Sequence, residues 1–104
     1  MPSKPSILFP SEQDLLTALG ERLRLARLRR DLGTVVVAAR ASISRTTLQR
    51  AEAGSPAVTM GTYLRILSVL QLTNDLEGLA KDDRLGRKLQ DLGLPERQRA
   101  RKRQ

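Results

Sequence analysis

Residues 32–54 read LGTVVVAARASISRTTLQRAEAG. The run divides into two short helical segments, about 34–41 and about 45–53, with Ser42-Ile43-Ser44 between them. In the first, Val37, Ala38 and Ala41 fall at i, i+1 and i+4, one apolar face at helical spacing. In the second, Leu48 and Ala51 point the same way as Thr47, and Ile43 plugs the turn. The opposite face carries Arg45, Thr46, Gln49 and Arg50 at i, i+1, i+4 and i+5. Every side chain in that row is cationic or hydrogen-bonding, and none is a large apolar one.

Two helices locked by small residues, the second presenting such a row, form a helix-turn-helix. The stretch resembles the lambda-repressor-like (XRE-type) helix-turn-helix domain. The match runs through Leu32, Val37-Ala38, Ile43-Ser44-Arg45, Thr47-Leu48, Arg50, Glu52 and Gly54, and back to Arg27. It extends to about Leu92 and so covers most of the chain. Residues 85–104, LGRKLQDLGLPERQRARKRQ, also resemble the tail of HipB-like antitoxins, the small DNA-binding partners of HipA-type kinase toxins.

The resemblance implies that the second segment is a recognition helix entering the major groove. Ser44 is then its N-cap, and the helix N-terminus adds a positive dipole and unpaired N–H groups near the DNA. An Arg at position 45 can make a bidentate contact to guanine, and Gln49 can pair with adenine in the same manner. Thr46 offers a hydroxyl to a base or a methyl to thymine, and Arg50 reads a base or holds a phosphate. The resemblance also implies an ion pair between Arg27 and Glu52, and backbone contacts from Thr34 and from the loop beginning at Ser55. It shows where this chain departs from the pattern. Gly33-Thr34-Val35-Val36 stands where a capped, Gln- and Glu-containing helix start is usual. The missing carboxylates favour phosphate binding. Ser42 stands where the turn usually carries Gly; a left-handed conformation there costs roughly 1 kcal/mol relative to Gly.

Composition narrows the class. A chain of 104 residues makes one domain with a modest core. Phe9 and Tyr63 are its two aromatic residues, so the core is leucine, isoleucine, valine and alanine, which favours small packed helices over sheet. The net charge is +8, which points to an anionic partner, nucleic acid before membrane surface. Cys and His are both absent, which excludes disulfides, the usual zinc sites and His-dependent nucleophilic catalysis. No glycine-rich phosphate loop is present. The expectation is therefore no enzyme, no cofactor and no metal. The first ten residues lack the apolar core of a secretory signal and no run is long enough to span a membrane, so a cytoplasmic location is expected.

The fold expected is all-α: a compact five-helix domain over residues 11–80, with an arm at 1–10, a short amphipathic segment at 81–94 and a disordered basic tail at 95–104. Ile7-Leu8-Phe9 of the arm packs on the body or on a partner. Ser11 is expected to cap a first helix running to about Arg30, with Leu15, Leu16, Leu19, Leu23 and Ala26 as its inward stripe. Leu25 and Leu28 lie off that stripe and either widen the core face or meet another subunit. Gly54-Ser55-Pro56 stops the recognition helix, and Thr59 caps a fourth. That helix is apolar around most of its circumference, so its spare face, with Leu64, Leu67 and Val69, is expected to form a homodimer interface. A fifth helix from 74 to 80 starts with a capping box between Asn74 and Glu77 and turns Leu72, Leu76 and Leu79 inward. Leu85, Leu89 and Leu92 align on a last short helix that must dock on something, with Leu85 and Leu89 as dimer or partner contacts.

Three functions fit these features. The first is a dimeric, sequence-specific repressor of double-stranded DNA, placing two recognition helices about one DNA turn apart on an operator. The second, implied by the HipB resemblance, is an antitoxin that binds one or two subunits of a HipA-like kinase and represses their shared operon. The third, an RNA or membrane-surface binder, is disfavoured because stacking aromatics and interfacial Trp or Phe are missing.

Overall fold

The computed structural model describes residues 7–93. Among them are six α-helices and no strand: α1 Pro10–Arg29, α2 Thr34–Arg40, α3 Arg45–Glu52, α4 Met60–Val69, α5 Asn74–Glu77 and α6 Arg84–Asp91. The all-helical expectation holds, with six helices where the sequence suggested five and an extra segment. Expectations for the tail at 95–104 and for most of the arm lie outside the described residues.

Helix α1 begins two residues earlier than a cap at Ser11 would place it. Phe9 is the N-cap and Pro10 occupies the first turn. Pro fits there because its missing N–H has no helical partner in any case. The Glu12 carboxylate accepts from the Phe9 N–H at 2.9 Å, so the cap bond reaches back from inside the helix. The inward stripe is shorter than expected at its N-terminal end. Leu23 and Ala26 are buried and Leu19 packs on the core, but Leu15 is 71% exposed.

The core joins α1 to α4: Leu23, Ala26, Val37, Ala38, Leu48, Ala51, Tyr63, Ile66, Leu67 and Leu70. Much of α4 turns inward, and this corrects the expected interface. Leu67 is only 6% exposed and belongs to the core, while Val69 packs against it from the edge. Of that trio only Leu64 remains on the surface. Helix α5 ends at Glu77, so Leu79 lies beyond it and is exposed, whereas Leu72 and Leu76 do pack on the core. The N-cap of α5 is Thr73 and no side chain bonds there, so the Asn74–Glu77 capping box is not formed.

Helices α1 to α4 all end in the same way. The residue two past the C-cap donates its N–H back to the last full turn: Leu32 to Arg27, Ile43 to Ala38, Ser55 to Arg50 and Leu72 to Leu67, at 2.8–3.1 Å. This closure needs a left-handed residue just before the donor. Asp31, Ser42, Gly54 and Gln71 fill that place with φ of 54°, 58°, 77° and 60°. In three of the four endings the donor is apolar, and Leu32, Ile43 and Leu72 all pack on the core. The turn between α2 and α3 is thus fixed by two hydrogen bonds and by Ile43 as a plug. Ser42 is exposed and bears the cost of a left-handed Cβ. Ser42→Gly is therefore expected to raise the unfolding free energy by about 0.5–1 kcal/mol, the gain being trimmed by the freer unfolded chain. A urea midpoint that stays put or falls would contradict it.

Glycine is used at the α3 ending for a reason of space. A Cβ on Gly54 would lie 2.6 Å from the Thr17 Cα and N, in the backbone of α1. A Cβ on Gly20 would lie 2.4 Å from the Glu52 carbonyl oxygen. These two glycines let the end of α3 rest directly on α1.

Candidate nucleic-acid interface

Helix α3 is held on three sides, which leaves one side to face outward. Leu48 and Ala51 are completely buried between α1, α2 and α4. The N-terminal end is closed by Ser44, whose Oγ accepts from the Thr47 N–H at 3.0 Å and donates to the Thr47 Oγ1 at 2.9 Å. The C-terminal end is tied to α1. Arg27 donates from Nε to Glu52 Oε2 at 2.7 Å and from Nη2 to Oε1 at 3.0 Å. A third bond runs from Arg27 Nη1 to the Leu32 carbonyl at 3.0 Å. The two side chains are 10% and 8% exposed. The hydrogen bonds that it donates to the Glu52 carboxylate hold the Arg27 guanidinium above its already high pKa, against the cost of burying it. Gln13 adds a bond from Nε2 to the Gly54 carbonyl at 2.9 Å.

What α3 leaves exposed is Arg45, Thr46, Gln49 and Arg50. They occupy the half of the helix opposite Leu48 and Ala51, so a single flat partner can touch all four. Thr34, the first residue of α2, is half-buried beneath an N-cap, Gly33, that supplies no side-chain acceptor. Ser55 is half-buried as well. Its Oγ accepts from the Ala57 N–H at 3.2 Å and its carbonyl accepts from the Tyr63 hydroxyl at 3.0 Å. Burial of Tyr63 pushes its phenol above the ordinary pKa, so it stays a donor at neutral pH. The loop after α3 is therefore fixed from below by Tyr63.

The electrostatics of this unit are one-sided. From residue 32 to residue 58 the only acidic side chain is Glu52, and Arg27 neutralises it. Arg40, Arg45 and Arg50 are exposed. A polyanion approaching α3 meets three guanidiniums and no exposed carboxylate from this stretch.

Of the residues expected at the interface, the structure gathers Arg45, Thr46, Gln49 and Arg50 on one open face and sets Ser44 at its N-terminal edge. Thr34 and Ser55 sit on neighbouring segments, partly covered. Of the expected dimer or partner residues, Leu64, Leu85 and Leu89 are exposed, Val69 is half-buried and Leu67 is buried. Gly20, Gln13 and the Tyr63 hydroxyl were not anticipated. A lone Gly in the middle of a long helical pattern is the one available signal, because such a residue usually marks a close approach.

Among the described residues no group of carboxylates is placed to hold a metal ion, and no helix is long and apolar enough to cross a membrane. A protein-family model described as a helix-turn-helix domain matches residues 18–80, more than half of the chain. No curated protein matches it.

Proposed function

We propose a function from one premise: the chain belongs to the XRE-type helix-turn-helix domain family. Members of this class are DNA-binding transcription regulators, and this chain is read as a dimeric, sequence-specific repressor. The observation that carries the reading is the open row on α3, Arg45, Thr46, Gln49 and Arg50, on a helix locked at both ends. Arg45 at the first helical position reads guanine, Gln49 reads adenine, and Thr46 reads a base edge or a thymine methyl. Arg50, Thr34, Ser44 and Ser55 hold phosphates and set the register. Because much of the affinity comes from phosphates, binding falls steeply with salt.

The narrower role we assign is antitoxin and autoregulator of a HipA-like kinase operon. Its supports are the resemblance of residues 85–104 and the apolar surface left by Leu25, Leu28, Val35 and Val36. A HipA-like reading frame beside the gene separates this role from that of a stand-alone regulator.

The test is a fluorescence-anisotropy titration over a salt series, against the DNA upstream of the gene and a scrambled duplex. The upstream duplex is expected to bind about a thousandfold more tightly. Arg45→Ala is expected to cost about 1–3 kcal/mol and to relax preference at one base position. Equal binding of both duplexes by the wild type would reduce the domain to a nonspecific basic anchor.

A further inference from the structure

Residues 55–58, Ser-Pro-Ala-Val, lead from α3 to the cap of α4, and their donors narrow how they can meet a phosphate. The Ser55 N–H is spent on the Arg50 carbonyl at 3.0 Å, at the end of α3. Pro56 has no N–H. The Ala57 N–H goes to the Ser55 Oγ at 3.2 Å, and the Val58 N–H to the Ser55 carbonyl at a long 3.4 Å. Every backbone donor of the segment is therefore used within the protein. The Ser55 hydroxyl differs: its oxygen accepts from Ala57, and its hydrogen has no acceptor among the described residues.

Three helices fix where that hydroxyl stands. From α3, the Arg50 carbonyl holds the Ser55 N–H. From α1, Gln13 donates through Nε2 to the Gly54 carbonyl at 2.9 Å, and to the Thr17 Oγ1 at 3.1 Å, so its amide is itself held. From α4, the Tyr63 hydroxyl donates to the Ser55 carbonyl at 3.0 Å. The Gly54 carbonyl belongs to the peptide plane before the Ser55 Cα and the Ser55 carbonyl to the plane after it. With both planes pinned, φ and ψ of Ser55 are set. The bond from Ala57 then restrains the side-chain torsion that is left.

We propose that Tyr63 and Gln13 are positioning residues for DNA binding, holding the Ser55 hydroxyl as the one donor that residues 55–58 offer to a phosphate oxygen. This rests on the DNA-binding reading above and adds how the loop takes part in it. Neither side chain has to touch the duplex. A hydroxyl already fixed meets a phosphate without first being ordered, and a hydrogen bond to a charged acceptor is stronger than one between neutral groups. Two properties follow. A phosphate is the same at every base step, so the contact carries no sequence information. A hydroxyl is neutral and displaces no counterion, so the contact leaves the salt dependence to the arginines.

The test is a double-mutant cycle on the full chain, read by fluorescence anisotropy with the upstream and scrambled duplexes over a salt series. Ser55→Ala is expected to weaken binding of both about tenfold, with their ratio and the salt slope unchanged. Tyr63→Phe and Gln13→Ala are each expected to weaken both by about threefold to fivefold. In a Ser55→Ala chain, where no hydroxyl is left to position, either change is expected to alter affinity by less than about twofold. Thermal melting sets a temperature at which each variant is folded, and Gln13→Ala carries the cycle if Tyr63→Phe does not fold. A Ser55→Ala chain that binds as the wild type does, or that loses affinity for the upstream duplex alone, overturns the phosphate contact. Losses from Tyr63→Phe and Gln13→Ala that persist undiminished beside Ser55→Ala overturn the positioning role. Equal binding of the two duplexes by the wild type overturns the sequence-specific reading and leaves the contact standing; binding of neither overturns both.

Discussion

Replacing Glu52 by alanine is expected to lower the unfolding free energy by about 3–5 kcal/mol. The size follows from what is left behind. The Arg27 guanidinium remains beneath α3, its side chain only 10% exposed in the native structure, with two of its three hydrogen bonds gone. An unpaired buried charge is far more costly than a missing ion pair, because its desolvation is no longer offset. The same logic gives a compensated variant. Arg27→Met combined with Glu52→Leu removes both charges and fills similar volume, and is expected to recover most of the loss. Urea unfolding at constant m-value measures all three proteins. A Glu52→Ala loss below about 1 kcal/mol would mean that water reaches the guanidinium once the carboxylate is gone.

Gly54→Ala is expected to cost about 2–4 kcal/mol, and to lower Tm by more than about 10 °C. Two terms add. A φ of 77° strains any L side chain, as at Ser42, where the exposed residue tolerates it. At Gly54 the Cβ would also lie within 2.6–2.7 Å of the backbone of Leu16 and Thr17. Backbone in the middle of a helix cannot rotate away as a side chain can, so α1 and α3 must separate. That movement would disturb the Arg27–Glu52 bonds and the seat of Ala51. A Gly54→Ala chain that melts within a few degrees of the wild type would show that α1 can shift at little cost.

These two sites also mark where sequence reasoning stops. The row Arg45, Thr46, Gln49 and Arg50 follows from helical periodicity alone, since the period fixes which residues share a face. The caps at Ser44 and Thr59 are equally local: each hydroxyl accepts from an N–H three residues on, at 3.0 and 3.1 Å. Periodicity does not say how far the facing surface extends. Leu15 obeys the stripe of α1 yet is exposed, and Leu67 sits on a helix apolar nearly all round yet is wholly used by its own domain. Nor does a sequence show approach distances. Gly20 and Gly54 are ordinary letters until α1 and α3 are seen to touch. The capping box at Asn74 failed because Thr73 already holds the cap position and takes a helical backbone there, which leaves no extended residue for Glu77 to reach back to.

Tyr63 has an optical consequence. It is the chain's single tyrosine, and there is no tryptophan, so all intrinsic emission on excitation in the near ultraviolet originates at one phenol. That phenol is buried, and its hydroxyl donates to the Ser55 carbonyl, in the loop that follows α3. Unlabelled protein therefore carries a fluorophore where its core meets the loop that follows α3. Hydrogen bonding to a peptide carbonyl quenches tyrosine, so a change in that loop on duplex binding registers as a change in yield. Global unfolding registers in the same channel, by exposing the ring.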